Sequence, residues 1–123
     1  MLAKQSGIYI VVLKNTEPIS TYAGDKRRVN CGTLVGLGNL KVGKATNLKK
    51  RYNNYVRTFG EHNFDFNVLA LLDNIDEIEK LILKELTPYR VRSIKGRLLE
   101  WLSGISKDDA IKLVTNIIPC TSL

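Results

Sequence analysis

Two lysines flank Val42 and Gly43 in Lys41-Val42-Gly43-Lys44, and Ala45-Thr46-Asn47 follows at once. Leu40 to Ala45 reads as a short strand, and Thr46 and Asn47 both suit an N-cap, so a strand here feeds the start of a helix. A helix start offers free N–H groups to an anion, Gly43 lets a phosphate approach the backbone, and Lys44 adds a point charge. The same residues also suit an ordinary strand-to-helix turn with a solvated lysine, because the longer phosphate-loop pattern is absent. Arg51 lies one helical turn beyond Asn47, with Lys49, Lys50 and Arg57 on the same stretch. Arg51 and Lys44 could hold one phosphate from two sides, which is how phosphoryl chemistry stabilises charge. Lys49 and Lys50 read as a solvated face with some non-specific contact to DNA. Tyr52 reads as core, and Tyr55 suits either core or a sugar–phosphate contact.

Two carboxylates stand out. Glu79 sits on a stretch that is otherwise apolar or basic. A carboxylate facing lysines and arginines is how a hard cation such as Mg²⁺ is held beside a phosphate. The alternative is an exposed helix residue paired at i,i+4. Glu100, in Leu99-Glu100-Trp101, is a charge inside an apolar run and needs a partner, as a structural ion pair or as part of a site. His62 is the only histidine. Without a second histidine or a patterned nucleophile, a zinc site or a triad is not supported, and His62 reads as a loop residue.

These residues must be carried by a scaffold. Gly7 to Leu13 is rich in β-branched residues and reads as a strand buried on both faces. Lys14 to Arg28 reads as a loop or ragged hairpin containing Arg27 and Arg28, and Val29 to Gly38 is ambiguous. After the strand at Leu40 to Ala45, the spacing of Leu48, Tyr52, Tyr55 and Phe59 predicts a helix over Leu48 to Thr58, ended by Gly60. Phe64 to Leu72 suits a third strand. Asp73 or Asp76 is expected to cap a helix over Glu77 to Leu86 that Thr87-Pro88 stops. Ser106, with Asp109 three residues on, starts a last helix, Lys107 to Ile118. The resulting order, β-β-α-β-α-α, predicts an α+β fold with helices packed on a sheet.

The chain has 123 residues, enough for one domain with its own core. Its 44% hydrophobic and 25% charged residues describe a globular protein rather than a disordered one. The net charge of +7 favours a polyanionic partner, nucleic acid ahead of an anionic membrane surface. Cys31 and Cys120 lack metal spacing and suit a reducing, cytoplasmic setting. Met1 to Ser6 lacks the apolar core of a signal peptide, and no run reaches the ~20 apolar residues that span a bilayer.

Taken in order, these residues resemble the GIY-YIG nuclease superfamily. Gly7-Ile8-Tyr9 matches the first half of its signature and Val42-Gly43 the end of the second. Lys44, Asn47 and Arg51 match the stretch that follows, with the arginine eight residues after the glycine. Ile78-Glu79-Lys80-Leu81-Ile82, followed by Thr87-Pro88-Tyr89, is similar to the family's metal-carrying helix, and Leu99-Glu100-Trp101-Leu102 looks closest to the phage-type branch. The resemblance runs from Ser6 to Leu102.

What the resemblance implies is a small three-stranded antiparallel sheet flanked by helices; residues 1–123 are expected to form one domain, with a C-terminal helical extension at 105–123 that has no clear counterpart in the family. It implies a Mg²⁺-dependent (or Mn²⁺-dependent) DNA endonuclease. Glu79, with Glu100 as second choice, would hold the metal, and Arg51 and Lys44 would steady the scissile phosphate. Tyr9 would orient or deprotonate water, and a phenol with its ordinary pKa near ~10 needs a nearby cation for that. The chain departs from the pattern in three ways. Lys41 stands where the second signature tyrosine belongs, either taking over its proton work or marking lost activity. Tyr55 replaces a frequent histidine. More than thirty residues separate Tyr9 from Val42, far more than usual, so a basic insert carrying Arg27 and Arg28 is expected to touch DNA. The DNA-facing set is therefore Arg27, Arg28, Lys49, Lys50 and Arg57. A homodimer or a separate targeting subunit would supply specificity, because phosphate contacts carry no sequence information. Two other readings stand beside this one: a DNA-binding domain of the same fold without catalysis, and a small protein whose basic face meets an acidic partner.

Overall fold

The computed structural model describes residues 5–22, 32–93 and 95–118. Arg27, Arg28, Cys31 and Cys120 lie outside the described residues. Strand β1 (Gly7–Leu13) runs through the middle of the fold, antiparallel to β4 (Leu40–Ala45) on one side and β5 (Phe64–Leu71) on the other. Its near-continuous burial follows from having a strand on each edge and helices on each face. Beyond β4 come β7 (Leu98–Leu102) and then β6 (Arg90–Arg92), giving a five-stranded sheet in the order β5-β1-β4-β7-β6.

The α+β class holds, but the expected three-stranded sheet becomes five-stranded. The two added strands come from Arg90–Arg92, too short to show a period, and from Leu98–Leu102, whose central glutamate interrupts the alternation. Within residues 14–38, β2 (Ile19–Ser20) pairs with β3 (Leu34–Val35) as a separate two-stranded ribbon.

Alternation along β1 and β4 divides the core in two. On one face Ile8, Ile10, Leu40, Val42 and Leu102 pack against α2 (Ile75–Leu86) and α3 (Lys107–Ile117). On the other, Tyr9, Val11, Leu13 and Trp101 pack against Leu48, Tyr55 and Phe59 of α1 (Leu48–Phe59). Asn47 caps α1, its side chain accepting from Lys50 N at 3.0 Å, and Gly60 ends it at φ +86°. Helix α2 starts two residues earlier than expected, after Asn74, whose side chain makes no cap hydrogen bond; neither Asp73 nor Asp76 caps it. Ser106 caps α3 by accepting from Asp109 N. Residues Ala110 and Val114 are fully buried in the core, so α3 is an integral layer of the fold rather than an appendage.

Two glycines allow the close approaches at the centre. A side chain at Gly7 would collide with the Ala70 carbonyl of β5. Gly43 lies opposite Tyr9 in the register, and a Cβ there would stand 2.5 Å from the Tyr9 hydroxyl. The tyrosine ring lies across the space that glycine leaves open.

Candidate active site

Strands β4 and β7 pair only through Leu40 with Leu102 and Lys41 with Trp101. No further pairs join them, and the Leu98–Glu100 end of β7 lines an opening beside Lys41. A cleft of about 580 Å³ lies there, and its walls include Lys41, Glu79, Arg90, Arg97, Glu100 and Trp101. The two carboxylates singled out in the sequence therefore line one cleft, although they come from a helix on one face of the sheet and from a strand.

Glu79 is 9% exposed, and burying an ionised carboxylate is costly unless it is compensated. Part of the compensation comes from Lys44. Its backbone N–H donates to Glu79 Oε2 at 3.1 Å, and its ammonium lies 3.7 Å from Oε1. Burial, and then the neighbouring Glu100 charge, still push the Glu79 carboxyl above its ordinary pKa, with Lys44 and Lys41 pulling the other way. A bound dication would relieve that pressure. Mg²⁺ commonly binds through one or two carboxylates plus phosphate oxygens, and Glu79 and Glu100 are the carboxylates that line this cleft. Among the described residues no group of three or more His, Cys, Asp or Glu side chains is arranged to hold a metal. The ammonium of Lys44 is also paired with exposed Asp76, which holds Lys44 above and is itself held below the ordinary range by their hydrogen bond.

On the other face lies a hydroxyl network. Tyr9, 0% exposed, shares a 2.7 Å hydrogen bond with the Tyr55 hydroxyl, and Arg51 Nη1 donates to Tyr9 at 3.3 Å. The Tyr9 ring stacks on Phe66 and meets Tyr55 edge-on. Burial first, then the charge of Tyr55, raise the Tyr9 pKa, and burial pushes Tyr55 up to about 12. Both phenols are thus neutral hydrogen-bonding groups at neutral pH. Arg51 lines a smaller cleft of about 250 Å³ with Lys41, Asn54, Tyr55 and Trp101, and another of about 260 Å³ with Asn47 and Lys50 at the start of α1.

Lys41 joins the two sides. It lines both the Glu79 cleft and the Arg51 cleft, and its ammonium stands 5.8 Å from the ring centroids of both Tyr55 and Trp101. The aromatic faces favour the cation there.

Of the residues expected at the site, Tyr9, Tyr55 and Arg51 form one group, Glu79 and Lys44 another, and Lys41 bridges them. Lys44 and Arg51 are held by different partners, Lys44 by α2 and Arg51 by Tyr9, rather than side by side. Lys49, Lys50 and Arg57 are exposed on α1. His62 is exposed in a short turn between α1 and β5. Sequence reasoning missed Asp76, Arg90 and Arg97. The run of basic residues from Arg90 to Arg97 was the one signal that could have found two of them.

The T5orf172 domain matches residues 19–118, and the chain belongs to this phage-linked domain family. The match includes α3 and begins after β1. No curated protein and no solved structure matches the chain. Among the described residues no helix is long and apolar enough to cross a membrane.

Proposed function

We propose that this protein is a metal-dependent DNA endonuclease of the GIY-YIG type, hydrolysing phosphodiester bonds with Mg²⁺ or Mn²⁺. The observation that carries this reading is the buried Glu79 carboxylate, facing Glu100 and Lys41 across one cleft beside the Arg51 network. Glu79 and Glu100 would hold the ion. Such an ion polarises a phosphoryl oxygen and lowers the pKa of a water molecule. Lys41 and Arg51 come from adjoining clefts and offset the charge that develops on a phosphoryl group under attack. The Tyr9 and Tyr55 hydroxyls position Arg51. Lys44 orients Glu79 from behind through its backbone N–H. Tyr9, buried and hydrogen-bonded, acts as a positioning residue in this reading rather than as the base. DNA is the partner, and target choice falls to a second copy or a separate subunit, because phosphate contacts alone do not read sequence.

A second reading, a DNA-binding domain of this fold without catalysis, is favoured by the same burial of Tyr9 and by Lys41 in place of the second signature tyrosine. A plasmid-nicking assay separates the two. Purified protein is incubated with supercoiled DNA in Mg²⁺, Mn²⁺ or EDTA, alongside Glu79→Ala and Arg51→Ala. Metal-dependent nicking that both substitutions abolish supports the nuclease. A gel shift without product in any metal supports the binding domain.

A further inference from the structure

Apart from Glu100, the hairpin formed by β6 and β7 has no role in the reading above, yet it forms one wall of the Glu79 cleft. Arg90, Arg92, Lys95 and Arg97 fall within eight residues, with no acidic residue among them. Arg92, Lys95 and Arg97 are exposed. Among the described residues, the ion pairs formed involve only Lys14 and Lys44, so none of these four cations is neutralised by a carboxylate within 4 Å.

Ser93, Gly96 and Arg97 are tied to one another by hydrogen bonds. Ser93 N donates to Arg97 O and Gly96 N to Ser93 O, both at 2.8 Å, while the Ser93 hydroxyl accepts from Arg97 N. Gly96 supplies the φ of +81° that the turn requires. Arg92 Nη1 donates to Gly96 O at 2.8 Å, bracing the tip. Arg90 is committed inward, its Nε donating to Leu99 O at 2.7 Å, and so fixes the hairpin against the strand that carries Glu100. These bonds leave cations that no carboxylate among the described residues neutralises beside a pair of carboxylates.

We infer that this hairpin is a phosphate-backbone clamp, in which Lys95 and Arg97 bind the sugar–phosphate strand of a nucleic acid and lay it across the Glu79 cleft. The charge pattern carries the inference. Two carboxylates repel a polyanion, so a substrate strand can approach them only if cations nearby draw it in, and those available on this wall are Arg97 at the cleft and Lys95 at the tip. Arg97 can fork two N–H donors onto a phosphate, and Lys95 acts as a point charge. The inference rests on the nuclease reading for its substrate, but its test does not require cleavage.

The test is fluorescence anisotropy of a labelled DNA duplex in EDTA, titrated with protein at several salt concentrations. It compares wild type, Lys95→Ala/Arg97→Ala, Arg97→Lys and, as a control on α3, Lys112→Ala. Each lost phosphate contact flattens the plot of log K against log salt by about 0.9, so the double variant should be shallower by about 2 and bind roughly 10-fold or more weakly at 0.1 M salt. Arg97→Lys should keep most of the slope, and Lys112→Ala all of it. A double variant with an unchanged thermal midpoint and an unchanged slope overturns the clamp while leaving the nuclease proposal intact. A wild type that binds no duplex even at low salt overturns both.

Discussion

The paired hydroxyls of Tyr9 and Tyr55 give the most quantitative test of how this site is built. Each hydroxyl is buried, and they satisfy one another at 2.7 Å. Tyr9→Phe removes the 2.7 Å partner of Tyr55, leaving that hydroxyl only Arg51, and takes an acceptor from Arg51; Tyr55→Phe leaves Tyr9 bonded only to Arg51. Leaving a buried hydroxyl unsatisfied costs about 1–3 kcal/mol, whereas removing both members of a pair is close to neutral. Arg51 is half-buried, so water can replace its lost bond to Tyr9. Each single substitution should therefore destabilise the fold by about 1–2 kcal/mol, with Tyr9→Phe the larger. The double substitution should cost less than the sum of the two, with a coupling of about 1 kcal/mol. For a chain of this length, 1 kcal/mol moves Tm by about 3–5 °C, well within calorimetric resolution. Urea denaturation of the four proteins measures the cycle. Additivity within about 0.5 kcal/mol would falsify the idea that the hydroxyls hold each other.

Three further outcomes follow from the same geometry. Gly43→Ala places a Cβ 2.5 Å from the Tyr9 hydroxyl and should cost about 1–3 kcal/mol by overpacking; an unchanged denaturation midpoint would show that the ring is free to move. Glu79→Gln keeps an acceptor for Lys44 N–H but removes a charge that burial and Glu100 disfavour, so at neutral pH and without metal the variant should be at least as stable as wild type. The folded-state pKa of Glu79 is raised, so the native state holds more protons than the unfolded chain just above the ordinary carboxylate range. Wild-type stability therefore falls as pH rises through that window, and the variant's advantage should vanish on acidification; urea midpoints that differ equally at every pH would contradict this. Mg²⁺ at about ten times its Kd should stabilise wild type by about 1.4 kcal/mol, and scanning calorimetry should show no such gain in a Glu79→Gln/Glu100→Gln variant.

Much of the fold was legible because its signals are local. The β-branched run from Gly7, the Leu48-Tyr52-Tyr55-Phe59 spacing and the Asn47 and Ser106 caps each act within a few residues, and each formed the element expected. The width of the sheet was not legible. Arg90–Arg92 becomes a strand only because Leu98–Leu102 lies beside it, and that strand in turn docks on β4 through two residue pairs. The site divides in the same way. Residue types marked Glu79, Glu100, Arg51 and Lys41, but more than thirty residues separate Tyr9 from Gly43, so nothing local fixes the register that sets one over the other. Asp76 and Glu79 are one helical turn apart, and only folding shows that both meet Lys44. The burial of the Tyr9 hydroxyl, which turns a candidate base into a support for Arg51, is also a tertiary fact.

On the proposed nuclease reading, it is the Glu79 carboxylate that lets a bound DNA strand be cut. The most direct measurement is single-turnover cleavage of a labelled duplex in Mg²⁺ by wild type and Glu79→Gln, with binding of the same duplex measured in parallel. The account expects the variant to bind at least as tightly as wild type, because one negative charge has left the cleft, and to form no product. A Glu79→Gln protein that cleaves at the wild-type rate, or a wild type that binds in Mg²⁺ and never cleaves, would contradict it.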